Sequence, residues 1–402
     1  MTRRTRQQKS SSRTPQIGLL TLVLLVAAAV ISQLTGVDIL GTLTGAPTWT
    51  PLPPTAIADI PGPATLETLE VQKGFGARKD FWQVYFNAAP VSSNSADYNN
   101  GAEMPLVAAI GQVQATLDIA AFEWNSPALT EAVIAAHNRG VRVRMVADNE
   151  HTIEDSDTTI TALVNAGIPI AYDQKSSLMH NKFMILDGST VWTGSMNYTQ
   201  NGIYRNNNNM VALRLRRAAE TYTAEFEEMF INREFSRKTS PVMDAAFTAD
   251  STPVQILFAP EGNIIPVLVE TLNAAESSIK FMAFSFTLTE LSDVILQRAE
   301  DGVKVEGVFE TIGSDTSFSQ MTPLRCAGLD IRIDGNPYRL HHKVFIIDDE
   351  IVVFGSFNFS SSAANTNDEN IVLIGDADLA AQFVAESERV QARAQQPTVN
   401  CR

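Results

Sequence analysis

A histidine, a lysine and an aspartate recur at one spacing in two places: His180, Lys182 and Asp187 in M-H-N-K-F-M-I-L-D, and His341, Lys343 and Asp348 in L-H-H-K-V-F-I-I-D. Each copy reads H-x-K-x-x-x-x-D. Each is followed by Gly-Ser-x-Asn, first as Gly194, Ser195 and Asn197, then as Gly355, Ser356 and Asn358. Each then runs into an Asn-rich segment, Asn206 to Asn209 and Asn367 to Asn370, with an offset of 161 residues at every landmark. One H-x-K would mean little. Two copies in register across about thirty positions imply duplicated halves that build one site with two histidines.

A histidine beside a lysine suits a phosphate. The apolar runs Phe183 to Leu186 and Val344 to Ile347 predict buried strands, and strand side chains alternate, so His180 and Lys182 share one face, as do His341 and Lys343. Lysine supplies a point charge for non-bridging oxygens, and histidine a nucleophile or a proton. Asn197 and Asn358 add neutral donors. Asp187 and Asp348 belong to the candidate catalytic set by motif. Their opposite parity and their place at turns predict that they fix loop geometry and lysine position rather than touch substrate.

The paired H-x-K-x-x-x-x-D and G-S-x-N pattern resembles the phospholipase D superfamily over roughly residues 75 to 390. That resemblance implies two α/β lobes related by a pseudo-twofold, a site between them, a covalent phosphohistidine, and neither metal nor cofactor. It also implies that one histidine attacks phosphorus while the other protonates the leaving oxygen. In the nuclease-like branch a glutamate in the Asn-x-Glu-Asn segment orients a histidine. Glu369 stands there in the second half, whereas the first half has Asn208. If each histidine is held within its own half, Glu369 favours a protonated His341 as general acid, and Asn208 leaves His180 neutral and nucleophilic. Pairing across the halves is the alternative. Ser195, Asn197, Asn208, Ser356, Asn358 and Glu369 form the phosphate-binding and orienting set. An inactive scaffold would need a broken motif, and no His, Lys, Asp or Asn of either copy is missing. Of the other histidines, His137 falls on a helical surface, His151 in a loop that borders the cleft, and His342 on the opposite face from His341.

The elements that position these residues also repeat. Gln83 to Phe86 matches Gln255 to Phe258, and Leu117 to Trp124 matches Ile279 to Phe286. Amphipathic helices follow at Leu129–Asn138 and Leu291–Glu300, ending at Gly140 and Gly302. Strands Val141–Ala147 and Val303–Phe309 come next. Strand, helix, strand predicts parallel crossovers, hence a mixed, mostly parallel sheet flanked by helices in each lobe. A helix near Ala218 to Phe230 leads to the lobe boundary. Pro90–Gly101 and Gly313–Pro323 are insertions expected to shape the cleft. Trp124 and Phe286 line a channel or, more commonly, a core. Glu123 and Ser285 occupy equivalent strand ends, so the two cleft walls differ chemically.

The 402-residue chain has a formal net charge of -15; residues 1–16 hold five basic residues and no acid, so the remainder carries -20. Ile17 to Ile31 is apolar and continues weakly to Leu40, which predicts a signal-anchor over 17–40 with the basic tail in the cytoplasm. A cleaved signal peptide with a secreted body is the alternative. A Pro/Thr-rich linker over 41–66 then leads to lobes at 67–240 and 241–398. Cys326 and Cys401 suit one disulfide or two free thiols. Both motifs lie in one chain, so a monomer suffices for one site. The tether favours a phospholipid substrate. A nucleic-acid substrate is the alternative; the acidic body lacks the basic footprint of sequence-independent DNA binding, though Lys182, Lys343, Arg205 and Arg339 would make a local basic cleft.

Overall fold

The computed structural model describes residues 59, 62–153, 155–237, 240, 245–314 and 316–401. The basic tail, the expected anchor and most of the linker lie outside the described residues. Among the described residues no helix is long and apolar enough to cross a membrane.

The first lobe's strands are β1 (Glu67–Leu69), β2 (Gly74–Lys79), β3 (Trp82–Asn87), β4 (Thr116–Ala121), β5 (Arg142–Ala147), β6 (Ile170–Tyr172), β7 (Lys182–Leu186), β8 (Thr190–Gly194) and β9 (Asn209–Leu213). They form one sheet in the order β1-β2-β3-β9-β8-β7-β4-β5-β6. The second lobe's strands are β10 (Ala245–Ala249), β11 (Thr252–Ala259), β12 (Ser278–Ala283), β13 (Lys304–Phe309), β14 (Asp330–Ile333), β15 (Lys343–Ile347), β16 (Ile351–Gly355) and β17 (Glu369–Gly375). Their order, β10-β11-β17-β16-β15-β12-β13-β14, repeats the first lobe without a partner for β1.

The expected helices are present as Pro127–Asn138, Thr289–Glu300 and Arg216–Phe230. The crossovers are present too, and β4–β5 and β12–β13 are parallel. The expectation of a mostly parallel sheet is corrected. Only β4–β5–β6 and β12–β13–β14 pair in parallel, and every other pairing is antiparallel. The reason lies in the turns after the motifs. Asp187 (φ 49), Gly188 (φ 60), Asp348 (φ 56) and Asp349 (φ 55) adopt left-handed backbone. That makes tight hairpins into β8 and β16, and a hairpin can only deliver an antiparallel neighbour.

Strand alternation divides the interior into three cores. Met184 and Leu186 face a core under the first lobe's outer helices. Phe345 and Ile347 face its counterpart in the second lobe. Phe183, Ile185, Val344 and Ile346 enter a third core made by both lobes, together with Tyr222 and Phe226 of Arg216–Phe230 and Phe383 of Ala377–Gln391. Because β7 and β15 each send alternate residues into this third core, the halves share an interior.

Cys326 and Cys401 form a disulfide across a sequence separation of 75, tying the C-terminal segment to the second lobe. A loop of that length restricts the unfolded chain by about 4 kcal/mol in the chain-entropy account. Dithiothreitol is therefore expected to lower the urea midpoint of the full chain by an amount matching that loss. Cys326→Ser should lower it equally and abolish the effect of reductant, which equilibrium unfolding checks.

Candidate active site

Each histidine precedes its strand, and the backbone just before it is hydrogen-bonded to the other lobe. His180 N donates to Asp368 O at 2.9 Å, and Asp368 N to Leu178 O at 2.9 Å; symmetrically, His341 N donates to Asn207 O at 3.0 Å and Asn207 N to Arg339 O at 2.9 Å. These bridges place each histidine beside the Asn-rich segment of the opposite half. His180 Nδ1 meets Glu369 Oε2 at 2.7 Å, while His341 Nδ1 meets Asn208 Oδ1 at 2.9 Å and Ser195 O at 3.0 Å. The expectation of pairing within each half is corrected, and pairing crosses the seam. The partners of Nδ1 are all acceptors, so Nδ1 carries the proton in both rings and Nε2 presents its lone pair.

The Gly-Ser-x-Asn turns hold those partners. Ser356 Oγ donates to Glu369 Oε2 at 2.6 Å, and Ser195 Oγ to Asn208 Oδ1 at 2.9 Å. Each serine oxygen also accepts a backbone N–H, from Asn370 at 3.0 Å and Asn209 at 3.1 Å. A serine from one half thus orients the group that orients the other half's histidine. Gly194 (φ 146) and Gly355 (φ 151) make this possible, since a Cβ at either would collide with the carbonyl of Asn209 or Asn370.

The lysines complete the arrangement. Lys182 Nζ donates to His180 O at 2.7 Å and Lys343 Nζ to His341 O at 2.9 Å. Phe122 packs edge-on to His180 with centroids 4.7 Å apart, and Lys182 Nζ lies 4.7 Å from the same ring; Phe284 does the same for His341 (4.9 Å) and Lys343 (4.7 Å). Both lysines are 1% exposed and Glu369 is 0% exposed, so every charge here is held almost dry. Burial lowers the Lys182 ammonium to about 8 and pushes the Glu369 carboxyl up to about 7. Burial, then the two lysines, holds His180 and His341 well below the ordinary histidine range. Two neutral imidazoles, each with one free nitrogen, flank a pair of lysines that gain from an arriving anion.

The family described as "Cardiolipin synthase, PLD-like domain" matches residues 106–230 and 268–391, one lobe each. The chain belongs to the phospholipase D superfamily. Its relatives include the mitochondrial cardiolipin hydrolase of Xenopus tropicalis, 32% identical over 165 residues, covering 38% of this chain and 78% of that protein. The phospholipase D of Rickettsia typhi is 33% identical over 131 residues, covering 33% of this chain and 64% of that one. The phosphatidylserine synthase structure from Haemophilus influenzae Rd KW20, 13% identical with a TM-score of 0.59, covers 82% of this chain and 88% of that one, and shares the fold. The protein is a phospholipase D-like phosphodiesterase.

Other members of the candidate set lie away from the histidines, and Asp187 and Asp348 fix loop geometry as expected but not lysine position. Asp187 and Asp348 do not meet the lysines and directly follow the far ends of β7 and β15, roughly 16 Å of strand from Lys182 and Lys343. The Asp187 carboxylate accepts from the backbone N–H of Gln114, Ala115 and Thr116, and Asp348 from those of Glu276, Ser277 and Ser278. They tie each motif strand to the start of β4 or β12. The fate of Trp124 and Phe286 is core, each 1% exposed; the aromatic rings at the phospholipase D histidines are Phe122 and Phe284, two positions earlier. Phe122 and Phe284 stand directly after β4 and β12, and the aromatic repeated two places before Trp124 and Phe286 was the available signal. His342 is buried between Asn209 Nδ2 (2.9 Å) and Glu386 Oε1 (3.1 Å). His151 packs on Phe122 at 4.5 Å, with Nδ1 2.9 Å from Asp148 Oδ1, and so borders the site.

Asp187→Ala leaves three backbone donors without their acceptor. It is expected to cost about 1–3 kcal/mol in urea unfolding while the folded variant keeps its kcat within about two-fold. Unfolding curves and turnover on one preparation check both halves of this expectation.

Proposed function

We propose that this chain hydrolyses phospholipid headgroup esters without a metal, through a phosphohistidine on His180. The contact that carries this reading is the Glu369 carboxylate on His180 Nδ1, 2.7 Å away. Attack by His180 Nε2 on phosphorus forms a P–N bond and leaves the ring positively charged, with Nδ1 still protonated. Glu369 neutralises that charge as it develops. The bond to the leaving oxygen breaks, and His341, having first taken up a proton at Nε2 from solvent, delivers that proton to the leaving oxygen. His341 suits this role because its Nδ1 partners are neutral, so a proton on its ring is released readily. Water then attacks phosphorus, His341 takes the proton back, and the P–N electrons return to His180. Lys182 and Lys343, with Asn358, hold the non-bridging oxygens throughout. The roles match those expected from the sequence, on a different footing: the carboxylate serves the nucleophile across the seam instead of the acid within one half.

Lipid is favoured over nucleic acid by the rim. Ile312 (61%) and Phe318 (75%) are exposed on the loop after β13. The basic side chains a nucleic acid would use are engaged: Arg205 lies against Tyr98 (5.5 Å) and Tyr338 (5.0 Å), and Arg339 is 3.7 Å from Glu310. The names of the Xenopus and Rickettsia relatives point the same way. An anchor over 17–40 with the catalytic body outside the cytoplasm belongs to this proposal, and the Cys326–Cys401 bridge fits an oxidising compartment. One chain supplies both histidines, so a monomer suffices.

The full chain is assayed in mixed phospholipid micelles with chelator, and on single-stranded DNA in parallel. Headgroup release that persists in chelator and falls at least about a thousand-fold in His180→Ala is the expected outcome. DNA cleavage with lipid untouched would replace the substrate. With a 4-nitrophenyl diester, whose leaving group needs no proton, His341→Ala should accumulate phosphohistidine at position 180 by mass spectrometry after alkaline quench. An adduct on His341 in the wild type would reverse the roles.

A further inference from the structure

Asn197, the first lobe's donor for phosphate, is already occupied. Its Nδ2 donates to Glu123 Oε2, and its Oδ1 is buried without a partner. Glu123 follows Phe122, the ring against His180, and its carboxylate holds the amide of Asn197, the residue expected to donate to phosphate. The equivalent position in the second lobe is Ser285, and Asn358 has no such carboxylate. A negative group inside a phosphate site is costly to keep and opposes the ligand's own charge. The orienting carboxylate, Glu369, does not account for it, because Glu369 is engaged by His180 and Ser356.

We infer that Glu123 makes this site discriminate by phosphate charge, accepting a singly charged phosphodiester and expelling the doubly charged monoester that hydrolysis leaves behind. The inference rests on the hydrolase reading above and adds a reason for product release. Hydrolysis converts R–O–PO2⁻–O–R′ and water into R–O–PO3H⁻ and R′–OH, and the monoester loses its remaining proton with a pKa of about 6. Glu369 and Glu123 offset the charge of the two lysines, so every negative charge on a ligand meets the repulsion of Glu123, and a doubly charged phosphate meets it twice. The second oxygen charge also competes with Glu123 for the Asn197 amide, whereas a diester oxygen can be met by the lysines and Asn358 alone.

The groups that set the charge on Glu123 are Lys182 on β7, Asn197 after β8, and His151 and Asp155 after β5. Burial pushes the carboxyl up; Lys182, Asn197 and His151 oppose that push, and Asp155 adds to it. The discrimination therefore fades in acid, as Glu123 and the monoester both take up protons.

The test is equilibrium binding of inorganic phosphate and of diethyl phosphate to the full chain at pH 8, by calorimetry, for wild type, Glu123→Gln, Glu123→Asp and Glu123→Ser. Neither probe requires turnover, so the result stands apart from the assays of the hydrolase reading. Glu123→Gln and Glu123→Ser should bind inorganic phosphate about ten-fold more tightly while diethyl phosphate changes by less than about two-fold. Glu123→Asp should resemble the wild type. In turnover, the same two variants should show stronger inhibition by the monoester product and a lower kcat, with the diester KM little moved. Equal tightening for both probes, or no change in either, overturns the inference. Glu123→Ser, which installs the second lobe's own residue, covers the case in which glutamine disturbs folding. Loss of all headgroup and DNA cleavage, with phosphate discrimination intact, would instead count against the proposed reaction and spare the discrimination.

Discussion

The structure depends on a small piece of backbone pairing. Just before each catalytic histidine the chain bonds to the Asn-rich segment of the other half, His180 with Asp368 and His341 with Asn207. These two bridges fix everything downstream. They set His180 against Glu369 and His341 against Asn208, and they bring Ser356 and Ser195 into reach of the groups that do the holding. Neither half has a working site alone, because each histidine borrows its orienting partner. The same seam is sealed by buried polar pairs, Asn370 Nδ2 to Asn181 Oδ1 at 2.7 Å and Asn209 Nδ2 to His342 Nδ1 at 2.9 Å. A slip of either bridge would leave those groups unsatisfied in a dry interior, so the register of the two lobes is strongly specified.

That dryness also explains the electrostatics. Two lysines within one buried site repel each other and resist charging, and burial pulls both below the ordinary lysine range. An anion bound beside them would favour their charged forms further, so under the proposed reading the substrate relieves part of the cost of burying them. Only interactions that strengthen as phosphorus is attacked accelerate the reaction. In the proposed reaction the Glu369–His180 contact is of that kind, since the ring would be neutral before attack and charged after it.

Much of this was legible in the sequence, for reasons of parity and period. The duplicated motif identified both histidines, both lysines and the serine–asparagine turns. The crossover helices followed from periodicity and from Gly140 and Gly302. The disulfide stood as one of two readings. Cross-lobe pairing was not legible. An internal repeat with one constant offset looks the same whether Glu369 reaches His341 or His180, and only the seam decides. The sheet was read as mostly parallel because strand–helix–strand units dominate the sequence pattern, while the hairpin turns at Asp187 and Asp348 are only three residues long. Those aspartates were grouped with the catalytic residues by motif, although their parity already pointed away from the site. Phe122 and Phe284 were hidden by the aromatic residues two places on, Trp124 and Phe286, which the core absorbs.

The central claim, that the second half's carboxylate governs the first half's histidine, is open to direct observation. The chain has only five histidines, so 15N-histidine labelling of the full protein gives a resolvable ring spectrum. With each signal assigned by single replacement, Glu369→Gln should displace the Nδ1 resonance of His180 and leave that of His341 in place, while Asn208→Ala does the reverse. Displacement of the His341 signal by Glu369→Gln, with His180 unmoved, would contradict the account.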